Sequence, residues 1–91
     1  MALSKEEAVK RARADLAERL GIGENEIIED SVETAEFPDL ALGAPVEGEM
    51  SGQMLSSGWR IRLSARHQGY EYRADKRQIR LYNFQGSNYR V

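Results

Sequence analysis

The sequence lacks cysteine altogether and holds only one histidine among its 91 residues. Without cysteine, disulfide bonds and thiolate metal sites are excluded, so apolar burial and backbone hydrogen bonds must stabilise the fold. No apolar run approaches the roughly 18 residues that a membrane-spanning helix requires, and the charged N-terminal region lacks the apolar segment of a signal peptide. We therefore expect one small soluble domain over residues 1–91 that does not contact a membrane. It is cytoplasmic by default, with an exported origin left open.

Side chains that carry chemistry are also scarce. The lone histidine, His67, falls in a predicted turn, where we expect an exposed residue rather than a metal ligand or a general base. Two carboxylate pairs, Asp30 with Glu33 and Glu47 with Glu49, lack the spacing of a calcium-binding loop. No serine has a histidine partner in a hydrolase motif. The sequence therefore predicts a non-catalytic protein with no metal and no cofactor.

The net charge of −2 conceals an uneven distribution of charge along the chain. Residues 1–50 carry five basic and thirteen acidic side chains, a balance of −8, whereas residues 51–91 carry eight basic and two acidic ones, a balance of +6. One interpretation is intramolecular, with the acidic and basic parts offsetting each other within the fold. The other is that the basic strands form a face that binds an anionic partner. Both interpretations stay open at this point.

A helix is predicted from Ser4 to Leu20. Ser4 followed three residues later by Glu7 is typical of a capping box, and Gly21 tolerates the left-handed conformation of a C-terminal cap. The helix presents one apolar stripe, formed by Ala8, Ala12, Leu16 and Leu20. This narrow, alanine-rich stripe is suited to close packing on a sheet.

A strand and a long irregular segment follow the helix. Residues 26–37 predict a strand, in which the adjacent Ile27 and Ile28 indicate a bulge or burial on both faces. Residues 38–51 contain two prolines and two glycines and no clean period, which predicts a loop. Its apolar residues are expected to tuck it against the core; they are Leu40, Leu42, Val46 and Met50. Loops of this length are often functional, so this segment is a candidate contact surface.

The clearest pattern is a hairpin over residues 59–72. One side of its first strand is apolar, with Trp59, Ile61, Leu63 and Ala65, and the other carries Arg60, Arg62, Ser64 and Arg66. The predicted turn is His67-Gln68-Gly69, and Tyr70 and Tyr72 continue the apolar side. Residues 52–55 are expected to begin the first strand, with Ser56-Ser57-Gly58 breaking or bulging it. A second turn near Asp75 leads into a strand over residues 78–84, and residues 85–91 are expected to fray, which leaves an ordered core at about residues 4–84.

These elements predict an α+β fold, with one N-terminal helix packed on a three- to four-stranded antiparallel meander sheet. The order of helix and strands, with Tyr70-Glu71-Tyr72-Arg73-Ala74-Asp75 running into a further strand, resembles the PepSY domain. That resemblance implies a regulator or inhibitor of peptidases, in a family whose members often occur outside the cytoplasm.

A second resemblance covers Phe37-Pro38-Asp39, Leu42-Gly43-Ala44-Pro45 and the strand that follows. These residues resemble uncharacterised bacterial domains that carry a Trp-Pro-Asp…Leu-Gly-Cys-Pro pattern. This chain departs from the pattern at two positions, because Phe37 stands for the tryptophan and Ala44 for the cysteine. Any redox or crosslinking role of that cysteine is therefore absent here.

We predict a small interaction domain that binds a protein or peptide and is itself a monomer or a weak homodimer. The predicted contact surface combines the outer arginines with the loop and comprises Arg60, Arg62, Arg66, Arg73, Arg80, Asp39, Leu42 and Pro45. Nucleic-acid binding through the same arginines is the alternative. It is disfavoured because Tyr70 and Tyr72 fall on the opposite side from the arginines, and because the isoelectric point is 5.4.

Overall fold

The computed structural model describes residues 2–50 and 52–91. One helix, α1 (Lys5–Leu20), is followed by a 3₁₀ turn (Glu24–Glu26) and by five strands. The strands are β1 (Ile28–Phe37), β2 (Ser56–Ala65), β3 (Gln68–Ala74), β4 (Ile79–Phe84) and β5 (Ser87–Arg90). They form one antiparallel sheet in the order β1-β2-β3-β4-β5, so each strand pairs with its neighbours in sequence. The α+β class, with one helix and an antiparallel meander, is confirmed.

Local sequence determines where α1 starts and ends. The Glu7 N–H donates to the Ser4 hydroxyl oxygen (3.1 Å), and the Ser4 N–H donates to a Glu7 carboxylate oxygen (3.0 Å). Because this backbone hydrogen bond favours the charged carboxylate, it lowers the pKa of Glu7. Gly21 ends the helix in the left-handed region, at φ 67°. The predicted capping box and glycine cap are therefore confirmed.

The sheet has one strand more than the three to four predicted. β5 lies within residues 85–91, the segment that the sequence led us to expect to fray. Gln85 and Gly86 adopt positive φ (53° and 87°) and turn the chain back along β4. The strand count was wrong because β5 is a short, polar edge strand, which lacks the apolar alternation that marks a half-buried strand.

The structure agrees with the prediction of a bulge in β1, but it differs from the predicted start of β2. β1 carries a bulge, because its register with β2 shifts between Glu29 and Ser31. Residues 52–55, by contrast, form no strand. β2 begins at Ser56 and passes through Gly58, which pairs with Ala35 of β1, so the predicted break at this point is wrong.

The turn between β2 and β3 consists of Arg66-His67 rather than His67-Gln68-Gly69. Both Arg66 and His67 adopt positive φ (51° and 67°), as a two-residue hairpin turn requires. Gly69 lies in β3 instead. The turn was predicted one residue too late because glycine is the residue most often found in the left-handed conformation of such turns. Here two residues with side chains adopt that conformation instead.

One face of the sheet, the helix face, packs against α1. The buried core on this side includes Ala8, Ala12, Leu16, Ile61, Leu63, Tyr72 and Leu81. The Tyr72 hydroxyl donates to the Asp15 carboxylate (2.7 Å), which gives the buried phenol a partner. Burial raises the pKa of Tyr72, so the hydroxyl stays protonated. Within the described residues, no helix is long and apolar enough to cross a membrane.

Candidate functional site

The opposite side of the sheet is the arginine face. Strand register places Arg60 beside Arg73 and Arg73 beside Arg80, with Arg62 two residues along β2 from Arg60. Residues two apart in a strand point to the same face, so these four predicted contact residues do share one side of the sheet. Arg66 lies in the β2–β3 turn instead.

Residues 38–50, which we call the cover loop, lie on this arginine face. The Arg73 guanidinium donates from Nη1 to the carbonyl oxygens of Leu42 (3.2 Å) and Gly43 (3.1 Å). The same guanidinium lies 3.8 Å from the centroid of the Tyr82 ring, within the range of a cation–π interaction. Arg73 is therefore engaged by the chain's own backbone and by an aromatic ring.

Arg80 holds the cover loop to β4. Only 5% of the residue is exposed, and its guanidinium makes two hydrogen bonds to the Glu49 carboxylate (2.6 and 2.8 Å) and one to the Ala44 carbonyl oxygen (3.2 Å). Hydrogen bonding from Arg80 lowers the pKa of Glu49 to about 2. Both side chains therefore stay charged at neutral pH and form a bidentate ion pair between β4 and the cover loop.

The three contact residues predicted in the cover loop have different surroundings. One carboxylate oxygen of Asp39 accepts hydrogen bonds from the N–H groups of Ala41 and Gly43 (both 2.9 Å). Leu42 is fully buried, whereas Pro45 is exposed. Asp39 thus shapes the cover loop, Leu42 anchors it, and of the three only Pro45 is exposed.

The remaining predicted arginines lie next to carboxylates. The nitrogen-to-oxygen distances are 3.3 Å for Arg60–Glu71, 3.7 Å for Arg62–Glu71, 3.8 Å for Arg62–Glu33 and 3.4 Å for Arg66–Glu26. An anionic partner would have to compete with these carboxylates for the guanidinium groups. The arginine face is therefore nearly balanced in charge rather than an open basic surface.

A surface that the sequence analysis missed lies where β2 begins and β3 ends. We call it the end groove; it has a volume of about 500 Å³, and its lining includes Leu40, Met54, Leu55, Trp59, Lys76 and Arg77. Leu40, Met54 and Leu55 are 38%, 64% and 75% exposed, and Trp59 is half-buried against the core. Large apolar side chains exposed together around one groove are typical of an interaction surface.

The charged residues that line the end groove are Lys76, Arg77 and Asp75, which give it a net positive charge. Lys76 and Arg77 are exposed in the turn between β3 and β4. Asp75 beside them is only 8% exposed, and its carboxylate accepts hydrogen bonds from the N–H groups of Arg77 (2.7 Å) and Gln78 (3.0 Å). Its charge is thus directed at the turn backbone. In the part of the chain that the structure describes, neither Lys76 nor Arg77 forms an ion pair.

The sequence does contain one signal for the end groove. Met54 and Leu55 are large apolar residues that fit no strand alternation and stand directly ahead of β2. The sequence predicts that residues 52–55 begin a strand, and strand pairing would hide part of the surface of these side chains. In a segment without a strand, the same side chains extend into solvent.

The side chains that could bind a metal or act in catalysis were considered next to the end groove. Across residues 2–50 and 52–91, no group of three His, Cys, Asp or Glu side chains is placed to hold a metal ion. His67 lies exposed in the β2–β3 turn. What the end groove offers a ligand is apolar contact together with positive charge.

Comparison with known proteins identifies a family. No curated protein and no solved structure matches the chain. The model of one family, described as a domain of unknown function (DUF8738), matches residues 9–82. The matched span runs from α1 into β4 and takes in both the cover loop and the end groove. The chain therefore belongs to the DUF8738 family.

Proposed function

We propose that this protein is a non-catalytic domain that binds a protein or peptide segment through the end groove. The observation that carries the proposal is the joint exposure of Leu40, Met54 and Leu55 around one groove, at 38%, 64% and 75%. Isolated exposed apolar residues are normal on protein surfaces, but a contiguous group is usually covered by a partner. Covering these side chains would remove apolar surface from water and so favour binding.

The chemistry of the lining favours a polypeptide as the ligand. Met54 is flexible and polarisable, and methionine adapts its shape to different apolar partners. Trp59 supplies a large, half-buried aromatic surface from β2, where the sheet holds it in place. The flexible Met54 side chain next to the fixed Trp59 ring can contact an apolar side chain of a partner segment.

The arginine face has weaker support as the contact surface. Two of its members bind the cover loop, the buried Arg80 and the half-buried Arg73, and Leu42 of that loop is itself buried. The ion pairs of Arg62 weaken the nucleic-acid alternative, because a phosphate would have to displace Glu71 or Glu33 from this arginine. The resemblance to PepSY domains adds peptidase regulation as the process in which a peptide-binding domain would act, and this remains a prediction.

A peptide-display experiment tests the proposal. Random dodecapeptides are selected on the wild-type protein, and the enriched peptides are measured against Leu55→Asp and Ile28→Asp by fluorescence polarisation. Ile28 is the matched control, because it is 61% exposed and apolar but lies at the start of β1, outside the end groove. We expect Leu55→Asp to weaken binding by about tenfold or more, since a buried leucine contributes about 1.5–3 kcal/mol.

Circular dichroism of both variants must match the wild type for this comparison to hold. The proposal is overturned if no peptide is enriched. It is also overturned if the enriched peptides bind Leu55→Asp as well as wild type and lose affinity for Ile28→Asp.

A further inference from the structure

We infer that the segment bound in the end groove is acidic, with an apolar side chain flanked by aspartate or glutamate. This inference rests on the proposed function and names the class of partner. It starts from Lys76 and Arg77, two exposed cations that line the same groove as the exposed leucines and methionine. A ligand that covers the apolar floor must lie beside these charges.

The backbone under these cations is held in place. The Lys76 carbonyl oxygen accepts a hydrogen bond from the Leu3 N–H (2.9 Å), and the Arg77 N–H donates to the Asp75 carboxylate (2.7 Å). The turn therefore presents both side chains from a fixed point at the rim. A fixed position reduces the loss of freedom on binding to that of the side chains themselves.

Lys76 and Arg77 also differ from the arginines of the sheet. Arg60, Arg62 and Arg80 each have a carboxylate partner within the chain. Among the residues that the structure describes, Lys76 and Arg77 have none, and Asp75 is directed at backbone N–H groups. Their charge is thus available to a ligand, and complementary charge at a rim raises specificity and the association rate.

The apolar floor selects a peptide over other anions. Two cations beside Leu40, Leu55 and Trp59 give a mixed surface, whereas a nucleic-acid site tracks a phosphate backbone with many cations. An acidic peptide with one apolar anchor satisfies both parts of the groove. A basic peptide would meet repulsion at Lys76 and Arg77.

Three labelled peptides with leucine at the same alternate positions test this inference. The intervening residues are aspartate in the first, serine in the second and lysine in the third, and binding is measured by fluorescence polarisation. We expect the aspartate peptide to bind most tightly and the lysine peptide least. In the variant with Lys76→Gln and Arg77→Gln, the aspartate peptide should lose about fivefold to tenfold in affinity and fall to the level of the serine peptide.

The matched control removes two exposed cations elsewhere, with Lys10→Gln and Arg11→Gln on α1. It should leave the order of the three peptides unchanged. Equal binding of the aspartate and serine peptides, or tightest binding of the lysine peptide, would refute the acidic preference while leaving the end groove as the binding site. Absence of binding by all three peptides would overturn both the preference and the proposed function.

Discussion

At the scale of single residues, Gly58 is the glycine with the least room for a side chain. A Cβ atom at this position would overlap the carbonyl oxygen of Ala74, because β2 and the end of β3 pass very close together here. Backbone cannot move aside as the tip of a flexible side chain can. The close approach therefore requires glycine at a position that also lines the end groove.

We accordingly predict that Gly58→Ala lowers the free energy of unfolding by about 3 kcal/mol or more, because strand backbones must separate. Urea denaturation monitored by the fluorescence of Trp59 measures the change. Gly69→Ala is the control, since a Cβ atom there would meet nothing within 4 Å, and it should alter stability by less than about 1 kcal/mol. Equal effects of the two substitutions would contradict the close approach at Gly58.

Some of this detail could be predicted from single residues and some could not. Ser4, Glu7 and Gly21 predicted the limits of α1 because capping depends on neighbours within a few positions. From the sequence, Gly58 predicts a break or bulge in the strand, because glycine alone does not reveal which backbone lies opposite. Its constraint comes from Ala74, which is distant in sequence.

At the scale of elements, the β2–β3 turn is strained by its sequence. Arg66 and His67 both hold positive φ (51° and 67°), which asparagine and glycine adopt more easily. Replacing them together, with Arg66→Asn and His67→Gly, should raise the free energy of unfolding by about 1 kcal/mol. The lost Arg66–Glu26 ion pair is exposed and contributes little.

Thermal and urea unfolding of this double variant measure the gain. Arg66→Ala serves as the control, because it removes the ion pair and keeps a residue that resists positive φ. A double variant no more stable than wild type would argue against a left-handed two-residue turn at this position.

Strands with one buried side could be predicted from the sequence, whereas the exposed edge strand could not. β2 and β3 alternate between apolar and polar residues because one side packs on α1, and the sequence predicted both. β5 pairs through its backbone at the edge of the sheet and presents little apolar side-chain surface, so no pattern marked it. The coverage of the arginine face could not be predicted either, because it depends on Arg73 and Arg80 meeting carbonyl groups in a loop about 30 or more residues away.

At the scale of the whole molecule, most basic side chains of residues 51–91 are paired with carboxylates inside the fold. Four ion pairs join the acidic part of the chain to the basic part; they are Arg62–Glu33, Arg66–Glu26, Arg80–Glu49 and Arg90–Glu49. The intramolecular interpretation therefore accounts for the arginine face. The anionic-partner interpretation is left with Lys76 and Arg77, which the sequence did not distinguish from the other cations.

The pair of Glu49 and Arg80 also predicts how stability depends on pH. The pKa of Glu49 falls from 4.5 to about 2 in the folded protein, so its carboxylate stabilises the fold above pH 4.5. This contribution is lost as the pH falls from 4.5 toward about 2. Wild type should therefore lose more stability on acidification than Glu49→Gln, and at neutral pH Glu49→Gln should be less stable by about 3 kcal/mol.

Urea midpoints measured at several pH values between neutrality and the pKa of the folded state provide the test. Glu47→Gln is the control, because Glu47 is an exposed carboxylate in the same loop. It should follow the wild-type pH dependence. Parallel curves for wild type and Glu49→Gln would show that the pair does not hold the cover loop in solution.

The meander order of the strands has a consequence for how the chain folds. β2 to β5 are joined by short connections, and such hairpins close within about 1–10 microseconds. β1 is separated from β2 by the cover loop and the segment after it, so its pairing must close a longer loop at a greater entropic cost. The end groove draws Thr34 from β1 and Leu40 from the cover loop. The end groove is therefore complete only once β1 has paired with β2, and a chain in which this pairing has not formed lacks one side of the groove.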